Sequence, residues 1–228
     1  MSKWRAIVFD LDDTLYPERD YVLSGFRAVA AWAEDHLRIP AGQGFVELKN
    51  LFDEGVRGDT FNRWLAAHHF PIDDLVSQLV RVYRDHEPVL KPFAAVPELL
   101  SSWRGTYQLG LLSDGYLAVQ QRKLAALGLG PYFDAIVFSD EWGRDAWKPS
   151  SRPFEIVLQR LGVAGSQAVY VGDNPHKDFL GARPVAMWTV RVRHPQGLYA
   201  HLEPPSLDHA PDMEINDLSG LEKILCWS

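Results

Sequence analysis

With 228 residues, 46% of them hydrophobic and 23% charged, the chain has apolar mass for one sizeable core plus a smaller appendage, which excludes a disordered or fibrous protein. A net charge of −7 without a basic run disfavours a non-specific hold on a polyanion, so no nucleic-acid polymer is expected as a partner. The single thiol, Cys226, excludes a disulfide framework or a cysteine metal site, and no run approaches the about 18 apolar residues of a membrane span.

The opening MSKWRAIVFD has an apolar stretch too short for a signal segment, so a cytoplasmic protein is expected, and RAIVF at 5–9 reads as a first strand. From about Tyr16 to His86 no strand pattern occurs. Four stretches there, YVLSGFRAVAAWAEDHL, FVELKNLFDEGV, TFNRWLAAHHF and DDLVSQLVRVYRDH, carry apolar residues at helical spacing. Pro88, Pro92 and Pro97 punctuate the return to alternating elements. A helix at 96–104, a strand at 107–112, a helix at 117–127 and a strand at 135–139 follow. Then come a helix at 153–161, a strand at 168–172, a helix at 178–183 and a strand at 188–192. Gly128 and Gly162 stand where helix C-caps belong, and Pro153 suits a first helical turn. Residues 194–211, rich in Pro and His, read as irregular, before a short helix at 218–225. The strands lack polar alternation, as expected where helices cover both faces of a parallel sheet. The expectation is a doubly wound (Rossmann-like) α/β core, residues 1–15 and 91–228, interrupted by an all-helical domain at 16–90.

In open α/β sheets ligands bind beyond the carboxyl ends of the strands. The first strand runs into Asp10, with Asp12 two residues on; the second ends in Ser113 and Asp114; the fourth ends in Asp173, with Asp178 five residues later. Lys148 lies in the connection after the third strand. Asp10, Asp12, Asp173 and Asp178 set against Lys148 leave a net −3, which cannot stay partly buried without raised pKa values or a cation. The donors are hard oxygens with no cysteine or suitably spaced histidine pair, which favours Mg²⁺ over zinc.

These residues resemble the haloacid dehalogenase-like (HAD) hydrolase superfamily: DLDDT at 10–14 for its DxDxT signature, Ser113 ending a hydrophobic strand, Lys148 before Pro149, and GDNPHKD at 172–178 for GDxxxxD. The four motifs stand in family order on both sides of the helical insertion. The resemblance implies a Mg²⁺-dependent phosphatase with Asp10 as the nucleophile of an aspartyl-phosphate and Asp12 as acid and base, its backbone carbonyl helping to hold the metal. It further implies that Thr14 orients the loop, Ser113 bonds the phosphoryl group and Lys148 offsets charge. Asp173 and Asp178 would complete the metal site, and the insertion would be a cap that excludes water and selects the substrate.

Other conspicuous residues have plainer readings. Asp13 is expected to structure the loop, and Asp114 is open to two roles, capping the next helix or lining the phosphate site. His176 reads as a solvated loop residue, and Tyr21, Phe26, Trp32, Phe61 and Trp64 as core of the insertion. His68 and His69, adjacent in sequence, cannot share a helix face and read as packing or surface. The expected partner is a small phosphorylated metabolite, a sugar phosphate or nucleotide. The alternatives are a phosphomutase, a dehalogenase, or a receiver-like domain that accepts phosphate as a signal.

Overall fold

The computed structural model describes residues 3–226, which divide into two compact units, one formed by residues up to Glu18 with Lys91 onward, the other by Arg19–Leu90. In the first, β1 (Ala6–Phe9), β2 (Gln108–Ser113), β3 (Ala135–Phe138), β4 (Ala168–Gly172), β5 (Trp188–Val192) and β6 (Met213–Ile215) form one sheet in the order β3-β2-β1-β4-β5-β6. Every pairing is parallel. Phe9 of β1 is flanked by Leu111 of β2 and Val171 of β4, so the residues that follow these strands emerge side by side at one edge. The strand order reverses between β1 and β4, the place where open α/β sheets form a ligand crevice.

Four helices accompany the sheet: α5 (Val96–Trp103), α6 (Leu117–Leu127), α7 (Arg152–Leu161) and α8 (Leu221–Leu225). Gly128 and Gly162 end α6 and α7 in the left-handed conformation, φ +66° at each, where a side chain would be strained. Val8, Val137, Phe154, Val157, Ala168 and Tyr170 belong to one fully buried cluster. Each large apolar side chain there contributes roughly 1.5–3 kcal/mol by leaving water.

One expectation is corrected in this unit, and one strand falls outside those expected. Residues 178–183 form a succession of turns rather than a helix. Pro184 removes an amide donor and turns Arg183 away from helical geometry, and Ala182 closes back onto Phe179 instead. The stretch read as irregular after His194 is followed by the three-residue strand β6, whose half-exposed residues carry no buried apolar run; the short helix after it begins as a 3₁₀ turn at Leu218–Gly220 and becomes α8.

The second unit holds α2 (Ala41–Asp53), α3 (Thr60–Ala67), α4 (Asp73–Asp85) and nearly all of α1 (Glu18–Leu37). Tyr21, Phe26 and Trp64 are buried, Trp32 stacks on His36, and Phe61 is half-buried edge-on to Phe26. Phe26, Phe52, Phe61 and Tyr83 line a cavity of about 300 Å³ within this unit, Phe26 from the buried core and Phe61 from a half-buried position. His68 bonds Glu47 at 2.6 Å and His69 is exposed.

Candidate active site

Asp10 follows β1 and extends its ladder by one bond, its amide donating to Val171 at 2.8 Å, which seats the carboxylate at the buried sheet edge. Lys148 Nζ reaches Asp10 Oδ1 at 2.5 Å, Asp178 Oδ1 at 2.7 Å and Tyr170 Oη at 2.9 Å, using all three of an ammonium's donors. Tyr170 in turn donates to Asp178 Oδ1 at 3.1 Å, and the Asn174 amide to Oδ2 at 2.8 Å. Burial raises Asp10, Lys148 lowers it and Asp178 raises it, with a net value of about 6. For Asp178 the burial penalty is outweighed by Lys148, Lys177 and the hydrogen bonds, which hold it below the ordinary carboxylate value. Lys148 is opposed by burial, but Asp10 and Asp178 keep it well above the usual lysine value.

Asp173 completes the group. One oxygen from each of Asp10, Asp173 and Asp178 lies within 4.8 Å of the others. Burial, then Asp178 and Asp10, push Asp173 far above the usual range. Its backbone is anchored instead: Arg191, fully buried on β5, donates from Nε to the Asp173 carbonyl at 3.0 Å and from Nη2 to Tyr199 and Leu202, both at 2.9 Å. Three buried carboxylates converging with hard oxygen donors, one of them without a bonded cation among the described residues, fit a divalent ion of the magnesium type.

Asp12 stands apart from that triad. Its carboxylate accepts from Lys123 Nζ at 2.7 Å on Oδ1 and 2.9 Å on Oδ2, and from the Tyr16 hydroxyl on Oδ1. Burial would raise Asp12, but the charge and hydrogen bonds of Lys123, with Tyr16, bring it below its usual value. Asp13 points elsewhere and accepts from the Glu18 and Leu198 amides, the loop-structuring role expected for it. Thr14 is fully buried, and its Oγ1 has no hydrogen-bond partner among the described residues. Ser113, also fully buried, donates to Gln120 Oε1 at 3.0 Å.

Asp114 does not cap the following helix. Its Oδ1 accepts from Ser139 Oγ at 2.5 Å and from the Lys148 amide at 3.0 Å, so it secures the loop that delivers Lys148. The first-turn amide of α6, at Leu117, is taken by Asp140 Oδ2 at 2.9 Å, a cap from another loop that local spacing cannot reveal. His176 is exposed, as expected.

Sequence reasoning missed Tyr16, Gln120, Lys123, Tyr170 and Arg191. For two of them a signal exists: Gln120 and Lys123 lie in one helical stripe with Leu124 and Leu127, where apolar residues are expected, and both are buried. Lys123 and Lys177 also soften the charge imbalance read from the sequence. The charges of both pull Asp12 down, and that of Lys177 also pulls down Asp10 and Asp173.

The family model for haloacid dehalogenase-like hydrolases matches residues 4–185, carrying all the motifs quoted above. The chain belongs to the haloacid dehalogenase-like hydrolases. Within the HAD family it is of the phosphatase type. It is 34% identical over 222 residues to glyceraldehyde 3-phosphate phosphatase of Methanopyrus kandleri, with 93% of each chain covered. It is 26% identical to the pyrimidine 5′-nucleotidase YjjG of Escherichia coli, over 98% of this chain and 99% of that one. A solved HAD phosphatase from Thermococcus onnurineus superposes with a TM-score of 0.64 at 26% identity, covering 97% of this chain and 98% of the other.

Proposed function

We propose that this HAD phosphatase is a Mg²⁺-dependent phosphomonoesterase of small phosphorylated metabolites that works through an aspartyl-phosphate on Asp10, with glyceraldehyde 3-phosphate as its first candidate substrate. The observation that carries the reading is the meeting of Asp10, Asp173 and Asp178 within 4.8 Å, with Lys148 bonded to two of them.

Asp10 is ionised for the most part at neutral pH, and with Oδ1 engaged by Lys148, Oδ2 is the oxygen left to attack phosphorus. As the bond to the leaving alcohol breaks, the alcohol oxygen takes a proton from Asp12, which must first bind that proton against the pull of Lys123. Water then attacks the phosphorus, the bond to Asp10 breaks, and Asp12 in its ionised form receives the proton that water gives up. Lys148 holds Asp10 in place and balances charge on it and on the phosphoryl group. Ser113 and Asp114 bound the phosphoryl position, with Ser113 turning its hydroxyl from Gln120 to bond it and Asp114 holding the Lys148 loop. Thr14 packs beneath the nucleophile loop.

Asp10, Asp173 and Asp178, with the Asp12 carbonyl, would hold Mg²⁺. When bound, the ion neutralises the carboxylates and polarises the phosphoryl oxygens. Among the described residues no helix is long and apolar enough to cross a membrane, in keeping with a freely diffusing substrate. The helical unit is assigned the role of cap and substrate selector. Phosphonate cleavage would want a lysine amine free to form an imine, whereas Lys49 is paired with Asp53 at 2.7 Å.

The test is release of inorganic phosphate from glyceraldehyde 3-phosphate and a panel of nucleotides and sugar phosphates, with Mg²⁺ and with EDTA. Turnover that needs Mg²⁺ and is lost in Asp10→Asn supports the reading. A protein that becomes phosphorylated but releases no phosphate is a signalling receiver instead.

A further inference from the structure

The proposed mechanism leaves unexplained a second buried lysine. Lys123, on α6, is 3% exposed and gives Asp12 a bond to each carboxylate oxygen, at 2.7 and 2.9 Å. Tyr16, four residues after Asp12 and also fully buried, gives a third bond to Oδ1. One turn earlier on the same helix, Gln120, 4% exposed, holds Ser113. A single helix stripe thus reaches two of the residues placed in the mechanism. A buried ion pair is weak grounds for stability, since a well-packed apolar pair does as well. What three donors on one carboxylate supply is direction: the group cannot rotate without breaking two bonds to Lys123.

We propose that Lys123 is a positioning residue that holds the Asp12 carboxylate in its proton-accepting arrangement, and so serves the second half of the reaction, hydrolysis of the phosphorylated Asp10. In that half water forms a bond to phosphorus, the Asp10–phosphorus oxygen bond breaks, and the proton lost by water goes to Asp12. The inference rests on the phosphatase reading above. It adds a division of labour between two lysines: Lys148 serves nucleophile and phosphoryl group, and Lys123 serves the base. Removing Lys123 takes away two of the three bonds that fix the carboxylate and frees it to rotate, which slows that step.

The experiment is rapid-quench kinetics with p-nitrophenyl phosphate and Mg²⁺ on wild type, Asp12→Ala, Lys123→Met and Lys123→Arg. p-Nitrophenolate departs with little help from an acid, so the first half is spared when the base fails. Asp12→Ala and Lys123→Met are expected to release p-nitrophenol in a burst approaching one equivalent per enzyme. Steady turnover then follows about 10–100-fold below wild type. Lys123→Arg, which keeps the charge, recovers part of the steady rate. Should Lys123→Met not fold, Lys123→Gln carries the same expectation. A Lys123→Met enzyme with the wild-type steady rate, or one that is slow without a burst while Asp12→Ala shows one, overturns the inference and leaves the phosphatase reading standing. An Asp12→Ala enzyme that is slow without a burst removes the base assignment itself, and the role of Lys123 falls with it.

Discussion

Asp13 and Leu198, on loops after β1 and β5, are joined by a hydrogen bond of 2.7 Å from the Leu198 amide to Oδ2 of Asp13. The other oxygen takes the Glu18 amide at 2.8 Å, and Asp13 sits at φ +49°. The residue between Asp12 and Thr14 is therefore the clasp of the loop that carries the chemistry. Asp13→Ala strands two amides and puts a Cβ-bearing residue without local hydrogen bonding at positive φ. The expected loss is about 2–4 kcal/mol in urea unfolding. Asp13→Asn, which keeps one acceptor oxygen and tolerates that backbone, should lose less than half as much. Equal losses in the two variants would show that the bonds are not what matters.

Lys148 is the only ammonium bonded to Asp10 and Asp178 among the described residues. Its replacement by methionine leaves two buried carboxylates uncompensated, and in EDTA stability should fall by about 3–5 kcal/mol. Mg²⁺ supplies charge to the same carboxylates, so it should recover more stability in Lys148→Met than in wild type. Thermal melts with and without Mg²⁺ measure both, and an equal Mg²⁺ effect in the two proteins would separate the lysine from the metal site.

The pH dependence of the metal-free protein has a definite sign. Burial raises Asp10 from 3.8 to about 6, and burial with the charge of Asp12 raises Glu18 from 4.5 to about 7. Both groups bind protons more tightly folded than unfolded, so their contribution is complete below the unfolded values and lost as pH rises through the folded ones. Asp12 and Asp178 are shifted downward and act only below about pH 4. Asp173, raised by burial and by Asp178 and Asp10, adds in the same direction, so stability in EDTA should decline by at least about 2–4 kcal/mol between pH 5 and 7.5. Mg²⁺ at pH 7.5 should reverse part of that decline. A flat or rising profile in EDTA would contradict the burial of these two carboxyls.

What the sequence made legible follows from how local each cause is. The five longer strands announce themselves because both faces of each are buried, so their apolar runs are continuous. Strand β6 has no such run: it is three residues long with no buried position, and as an edge strand it owes its conformation to pairing with β5. The helix expected at 178–183 carried too few residues before Pro184 to close its own hydrogen bonds. In the site, Asp10, Asp173, Asp178 and Lys148 were readable because strand ends and motif spacing place them. The partners that tune them were not, since Lys123 reaches Asp12 across 111 positions and Arg191 reaches the Asp173 carbonyl from a neighbouring strand. Asp114 does not cap the helix that follows it and Asp140 does, for the same reason: a helix cap can come from a loop that only the fold brings near.

The central claim is that phosphate passes through Asp10 on its way to water. The direct test is the stereochemical course at phosphorus, followed with a substrate made chiral by oxygen isotopes and hydrolysed in isotopically labelled water. Two in-line displacements, first by Asp10 and then by water, give net retention, which is the result expected here. Net inversion would mean that water attacks the substrate directly, and Asp10 would then be a metal ligand and nothing more.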